Sequence, residues 1–238
     1  MSVTGYSEVS SYYDGLWADL EKQKKAGSNV RHFSILKNLQ KQKLKKNSKV
    51  LEIGCGIGSL TRLISKKIKY GKITGVDISP KTIAFNKEKY KSFKNMDFMV
   101  SDMTDFSSSE KFDYVVLPDV LEHIPIEAHD NIFKTIKRIT HASSIILINI
   151  PHPKFLEWVH KNKRDLLQII DQPIHTNILS DVIYKNGFYI ENIESYSLGF
   201  NPNDYQSIVL KSQEFENKYT VKSFLELVFI NYFRNLFF

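Results

Sequence analysis

The stretch Val50-Leu-Glu-Ile-Gly-Cys-Gly-Ile-Gly-Ser-Leu narrows the possible folds more than any other part of the chain. Val50–Ile53 reads as a short apolar strand, and Ser59 to Lys69 reads as a helix. Glycines at 54, 56 and 58 make the turn between them. Such a loop lets a ligand approach the backbone with no side chain in the way. The helix start beyond it offers N–H groups without helical partners. In open α/β sheets, the crevice at the carboxyl ends of the strands is where ligands bind.

The pattern then repeats. Lys72 to Ile78 is a second strand, and Ser79-Pro80 opens a helix, proline being tolerated in a first turn. Asp97 to Val100 and Phe112 to Leu117 are strands, Ile126 to Thr140 a helix, and Ser144 to Ile150 a strand apolar enough to be covered on both faces. His175 to Asn186 is a helix closed by Gly187. Phe188 to Ser195 and Tyr205 to Lys211 follow as an antiparallel pair at one sheet edge. The expected fold is α/β: a doubly wound, seven-stranded, mostly parallel sheet with an antiparallel last strand. Helical additions flank it at both ends. The division expected is a helical front end over 1–48, a ligand-binding domain over 49–212 that includes a recognition segment over 151–204, and an amphipathic helix over 213–238. A helix over Val30 to Lys46 closes the front end.

The glycine spacing departs from a dinucleotide fingerprint, because the third position holds Ser59 and glycine falls one place early. The Lys-Ser/Thr pair of a phosphate-binding P-loop is absent. Glu52 inside the strand suits a ligand with a positive head better than a pyrophosphate. Asp77, ending the second strand, can accept both hydroxyls of a ribose. A nucleoside with a cationic end is indicated, and S-adenosylmethionine (SAM) is the candidate. On these residues the chain resembles class I SAM-dependent methyltransferases of the small-molecule branch, strongly over 49–150 and more weakly to about 212. The resemblance implies that Glu52, Gly54, Cys55, Gly56 and Gly58 hold the methionine part of SAM, and that Asp77 binds the ribose. It also implies that Ile78 packs on the adenine and that Asp102 and Met103 stand at its rim. The segment Leu117-Pro118-Asp119-Val120-Leu121-Glu122-His123-Ile124 would flank the reactive end, with Pro118 and Asp119 against the cofactor. Tyr13, with Tyr6 and Tyr12, either folds over SAM as a lid or belongs to a helical core stripe.

An acceptor that loses a proton benefits from a base, which histidine supplies most readily. His123 and His152 follow strands four and five and are the candidate bases. For His123 the alternative is a local scaffold, and for His152 a rigid turn in Pro151-His152-Pro153. His175 and Tyr205 are candidate substrate contacts. His32, His129, His141 and His160 lie in polar helical contexts and are expected at the surface. The Asn/Asp-Pro-Pro-aromatic pattern of adenine or glutamine N-methylation is absent, as is a cysteine beyond strand four for cytosine C5 chemistry. Asp119 and Asn149 are too loosely placed in sequence to indicate a metal site, and none is expected. Aromatic and amide residues over 151–212 suit a sugar or polar heterocycle. The leading expectation is O-methylation of a sugar, sugar nucleotide or surface-glycan precursor.

The net charge of +7 is local. Lys22 to Lys49 carries nine Lys and one Arg with no acid, so this segment is +10 and the remainder sums to −3. It precedes the first strand, opposite the crevice, and is a solvated or docking face unless the front end folds back over the mouth. An RNA or protein methyltransferase using this segment is the alternative enzyme. A SAM-binding protein without turnover is the alternative outside enzymes. No nucleic acid partner is favoured. With one cysteine, no signal peptide and no apolar run of membrane-spanning length, a cytoplasmic setting is expected. The apolar stripe of 221–238 suits docking or a homodimer better than a membrane surface.

Overall fold

The computed structural model describes residues 11, 12, 14, 15, 27–168, 170–214, 223, 225, 226, 228 and 229. Seven strands form one sheet: β1 (Lys49–Ile53), β2 (Lys72–Asp77), β3 (Met96–Val100), β4 (Phe112–Pro118), β5 (Thr140–Pro151), β6 (Phe188–Tyr196) and β7 (Tyr205–Ser212). Their order is β3-β2-β1-β4-β5-β7-β6. β7 runs antiparallel to both β5 and β6, and the pairs among β1 to β5 are parallel. The expected sheet is therefore the observed one, with β6 at its edge.

Successive residues of a strand face opposite sides, and here both sides are apolar. Val50, Ile73, Val116, Leu147 and Val209 pack on one face with helix α1 (Val30–Lys41) and helix α2 (Ser59–Ser65). Leu51, Val115, Ile146, Ile148 and Ile208 pack on the other with α4 (His129–Ile139) and α6 (Thr176–Lys185). Helix α3 (Pro80–Lys89) starts on a Ser79 cap with Pro80 in its first turn, as expected. Helix α5 (Pro153–Asn162) leaves the end of β5. Strand order reverses between β1 and β4, and the crevice opens at this switch point.

Two expectations are corrected. The front helix ends at Lys41, not Lys46, because Lys43 turns left-handed (φ 63°) and the Leu44 N–H closes back on the Leu39 carbonyl at 3.1 Å. Past Leu39 the run Lys-Gln-Lys-Leu-Lys-Lys offers the sheet little apolar surface to continue on. His129 is fully buried rather than at the surface. Its Nε2–H donates to the Leu121 and Ile124 carbonyls, both at 3.0 Å, and so pins the turn after β4 from beneath. Burial lowers its pKa, which keeps the ring neutral.

Candidate functional site

The glycine loop leaves β1 with left-handed backbone at Gly54 and Gly56. A side chain at Gly54 would stand 2.5 Å from Val120 Cγ2, so the segment after β4 rests directly on the loop. At Gly56 a side chain would meet nothing within 4 Å, so here the bare backbone borders open space. Asp77, at the end of β2, accepts the Gly56 N–H at 2.9 Å through Oδ2 and the Ser79 N–H at 3.0 Å through Oδ1. Asp14 of the front segment accepts from Ser79 Oγ at 2.5 Å, which brings that segment beside Asp77. Glu52 is buried and accepts from Thr61 Oγ1 at 2.6 Å. Burial pushes its carboxyl up to about 8. Burial also raises Asp77, against its backbone donors. The donor set fits SAM: an open glycine cradle lies between two carboxylates whose burial a cationic ligand would compensate.

The remaining expected cofactor residues are spread more widely. Cys55 is a buried filler whose thiol burial pushes far up, out of the reactive range. Ile78 and Pro118 are half-buried at the ends of β2 and β4. Asp102 caps its own turn by accepting the Thr104 N–H at 2.9 Å. Met103 is buried in the core beside Val76 and Phe106, with left-handed backbone at φ 68°. Tyr13 and Tyr6 lie outside the described residues, as does most of 221–238.

Beyond β4 the structure assembles a second space, a cavity of about 480 Å³. Asp119, Glu122, His123, Asp171, Arg31 and Tyr205 supply its polar wall. Phe155, Leu156, Val159 and Phe200 are among its apolar residues. Asp119 holds strained left-handed backbone (φ 52°) at the mouth, a sparsely populated conformation of the kind that collects at functional sites. Its Oδ2 lies 2.9 Å from Arg31 Nε. Arg31 Nη1 also donates to the Tyr205 hydroxyl at 2.9 Å. Burial pulls the Arg31 pKa down, but Asp119 and Tyr205 more than reverse this, so it stays charged. The front end thus folds back over the mouth, and the basic run, expected as a solvated face, delivers one of its cations into the site. Arg31 is a functional candidate that sequence reasoning absorbed into a charge count. The signal available was its place in the first turn of an amphipathic helix.

His123 lies inside this wall. Its Nδ1 is 2.7 Å from the Ile170 carbonyl, which can only accept, so Nδ1 carries the proton. Asp171 Oδ1 stands 3.2 Å from the same nitrogen. Nε2 is left as the acceptor, taking a bond from Gln168 Nε2 at 3.2 Å and facing Glu122 Oε1 at 3.9 Å. His152 and His175 are not brought to this cavity. His152 caps α5 by accepting the Lys154 N–H at 3.2 Å, and burial lowers its pKa. His175 pairs with Glu157 at 2.9 Å. Tyr196, one of the aromatic residues expected in the recognition segment, donates to Asn149 Oδ1 and packs tilted against Tyr205, ring centres 6.1 Å apart. Among the described residues no group of three or more His, Cys, Asp or Glu is placed to hold a metal ion.

A family model described as a methyltransferase domain matches residues 50–142. A protein of Invertebrate iridescent virus 6, named as a methyltransferase (235L), is 25% identical over 191 residues, covering 76% of this chain and 70% of that one. N-methyltransferase 4 of Papaver somniferum is 28% identical over 126 residues, 49% of this chain and 34% of its own length. Magnesium protoporphyrin IX methyltransferase from Synechocystis PCC 6803, solved with bound S-adenosylhomocysteine (SAH), has a similar fold. It superposes with a TM-score of 0.67 at 18% identity, covering 87% of this chain and 99% of that one. Taken with the strand order and the glycine loop beside Glu52 and Asp77, these likenesses show a methyltransferase domain over residues 50–142, on the fold of class I SAM-dependent methyltransferases and with SAM as its cofactor.

Proposed function

We propose that this methyltransferase acts on a small polar molecule seated in the cavity beyond β4, with His123 as the base. The observation that carries the reading is the state of His123: a proton on Nδ1, held by the Ile170 carbonyl and Asp171, and an accepting Nε2 in the cavity wall, where the Gln168 amide now donates and an acceptor would take its place. Bound SAM would supply an electrophilic methyl on a sulfonium. The chain's part is then to orient and to take a proton. In the proposed arrangement, Gly54 to Gly58 and Glu52 cradle the methionine part. Asp77 accepts the ribose hydroxyls, Ile78, Asp102 and Met103 border the adenine, and Asp119 marks the joint between cofactor and acceptor. Arg31 and the front end shield the mouth from water, and His123 Nε2 receives the acceptor's proton.

The lining bears on the expected sugar acceptor. Four acidic residues, Asp119, Glu122, Asp171 and Asp204, line the cavity with one arginine already engaged with Asp119, so a sugar nucleotide's pyrophosphate would meet like charge. An uncharged or cationic polar acceptor suits this wall better, with 151–204 as the recognition segment. Incubating the protein with SAM and neutral, anionic and cationic metabolite pools while measuring SAH tests the proposal. SAH formation with uncharged or cationic pools, lost in His123→Ala, is the expected result. Turnover confined to the anionic pool, or unchanged in His123→Ala, would sink it.

A further inference from the structure

Glu122 is a buried carboxyl in the cavity wall. It is 1% exposed, and neither carboxylate oxygen has a hydrogen-bond partner among the described residues. Burying such a group without a partner is unfavourable unless something in the site answers it. Asp119 Oδ1 is likewise buried without a partner. Asp171, on the chain's return past His123, brings a third carboxylate to the same cavity. Arg31 is the counter-charge, and its Nε lies on Asp119, not on Glu122. Burial and the neighbouring Asp119 charge both push the Glu122 carboxyl far up, which is the signature of a carboxylate short of a cation.

Outside this polar floor stands an aromatic shelf. Phe155 and Phe200 both line the cavity, with ring centres 5.0 Å apart, and Trp158 stacks 6.2 Å from Phe155. Trp158 and Phe200 are each more than 40% exposed, at 42% and 44%. A carboxylate floor beneath a half-open aromatic shelf accepts an organic cation, by ion pairing below and by apolar and cation–π contact above.

Resting on the reading of this cavity as the acceptor site, we propose that the methyl acceptor is an amine, that its ammonium is held by Glu122 with Asp119 and Asp171, and that its nitrogen is the atom methylated. The step balances without a further reactant. The ammonium gives one N–H proton to His123 Nε2. The freed nitrogen lone pair forms the N–C bond to the methyl, and the methyl's bond to sulfur breaks with its electron pair left on sulfur. A secondary ammonium, SAH and an imidazolium result, and the imidazolium sits between Glu122 and Asp171.

The test uses matched probes in the presence of SAH: benzylamine against benzyl alcohol, phenethylamine against phenethyl alcohol, and glucosamine against glucose. Binding is measured by titration calorimetry on the whole chain. At least one amine is expected to bind about tenfold tighter than its alcohol, as a charge-assisted hydrogen bond provides. Glu122→Gln, of the same shape, should erase most of that preference while SAH affinity stays within about twofold. Asp171→Asn, remote from the glycine loop, should reduce the preference in part and serves as the second variant should Glu122→Gln fold poorly. Equal binding of amine and alcohol would overturn the inference and leave the cavity as acceptor site. Failure of every probe to bind in the presence of SAH would overturn both. A loss of SAH affinity in Glu122→Gln equal to the loss of amine affinity would also overturn it, since the carboxylate would then serve the cofactor.

Discussion

The carboxyl edge of the sheet has two halves, and they are built differently. On the β1–β3 side the glycine loop, Glu52 and Asp77 come from one short run of chain, joined by hydrogen bonds such as that from the Gly56 N–H to the Asp77 carboxylate. On the β4–β7 side the cavity draws Arg31 from the front helix, Glu122 and His123 from the turn after β4, Asp171 from a loop and Tyr205 from β7. The first half is local and made largely of backbone. The second is an assembly of distant side chains, held by contacts such as the Arg31–Asp119 ion pair, the Arg31–Tyr205 and His123–Ile170 hydrogen bonds, and His129 under the turn. This difference fits a family in which one cofactor is shared and acceptors vary. Backbone cradles tolerate side-chain change, whereas a side-chain cavity is rebuilt by a few substitutions.

The sharpest separation of the halves is expected from the histidines. His123→Ala should lower kcat by about 10²–10⁴-fold with SAH affinity intact, whereas His152→Ala, a helix cap away from the cavity, should leave kcat within about twofold and cost ~1 kcal/mol of stability. Steady-state SAH release and calorimetry read both; a larger kcat loss in His152→Ala would reverse the assignment. Gly54→Val attacks the joint. A Cβ there collides with Val120 Cγ2 at 2.5 Å and imposes left-handed strain at φ 75°, so a loss of about 2–4 kcal/mol in stability and impairment of both ligands are expected. If only SAH binding suffers, the halves are less coupled than the contact implies.

Asp77→Ala should touch the cofactor half alone, weakening SAH by about 10–100-fold, as removal of a charged hydrogen-bonding group does. Arg31→Met is its mirror. It strands Asp119 and the Tyr205 hydroxyl and should cost about 1–3 kcal/mol by chemical denaturation, raising the acceptor KM while SAH affinity holds. An equal loss of SAH affinity in Arg31→Met would dissolve the distinction between the halves.

The most gradual effect is a pH dependence. Burial raises Glu52 to about 8 from an ordinary 4.5, so the folded chain holds this proton more tightly than the unfolded chain. That contribution to stability is full below pH 4.5 and is lost as pH rises toward 8. Asp77, Asp119 and Glu122 are shifted the same way. Melting temperature of the ligand-free protein should therefore fall between about pH 5 and pH 8, and Glu52→Gln should flatten the fall by ~1 kcal/mol per pH unit. Parallel curves for the two proteins would remove Glu52 from the account.

Strand and helix alternation, the glycine loop and the Asp77 partner were legible because each rests on neighbours in sequence: period, turn residues and a carboxylate at a strand end. The expected helix end at Lys46 failed because apolar spacing alone does not reveal where the sheet stops offering contact, which here follows Leu39. His129 was misplaced because a polar helical setting says nothing of a carbonyl pair waiting behind it. His152 and His175 were chosen by position after a strand or linker, but the side chain of one turns to cap a helix and the other pairs with Glu157.

The sequence by itself determined the order of elements, the doubly wound sheet and the likeness to class I SAM-dependent methyltransferases, since those follow from local pattern and one contiguous motif. Only the tertiary structure decided that Arg31 leaves the basic run to meet Asp119, and that Glu122 is buried with neither oxygen hydrogen-bonded among the described residues. It alone decided that His123, not His152, stands in the cavity. These depend on which side chains distant segments bring within a few ångströms of one another, and a charge buried by such packing behaves unlike the same charge in a solvated run.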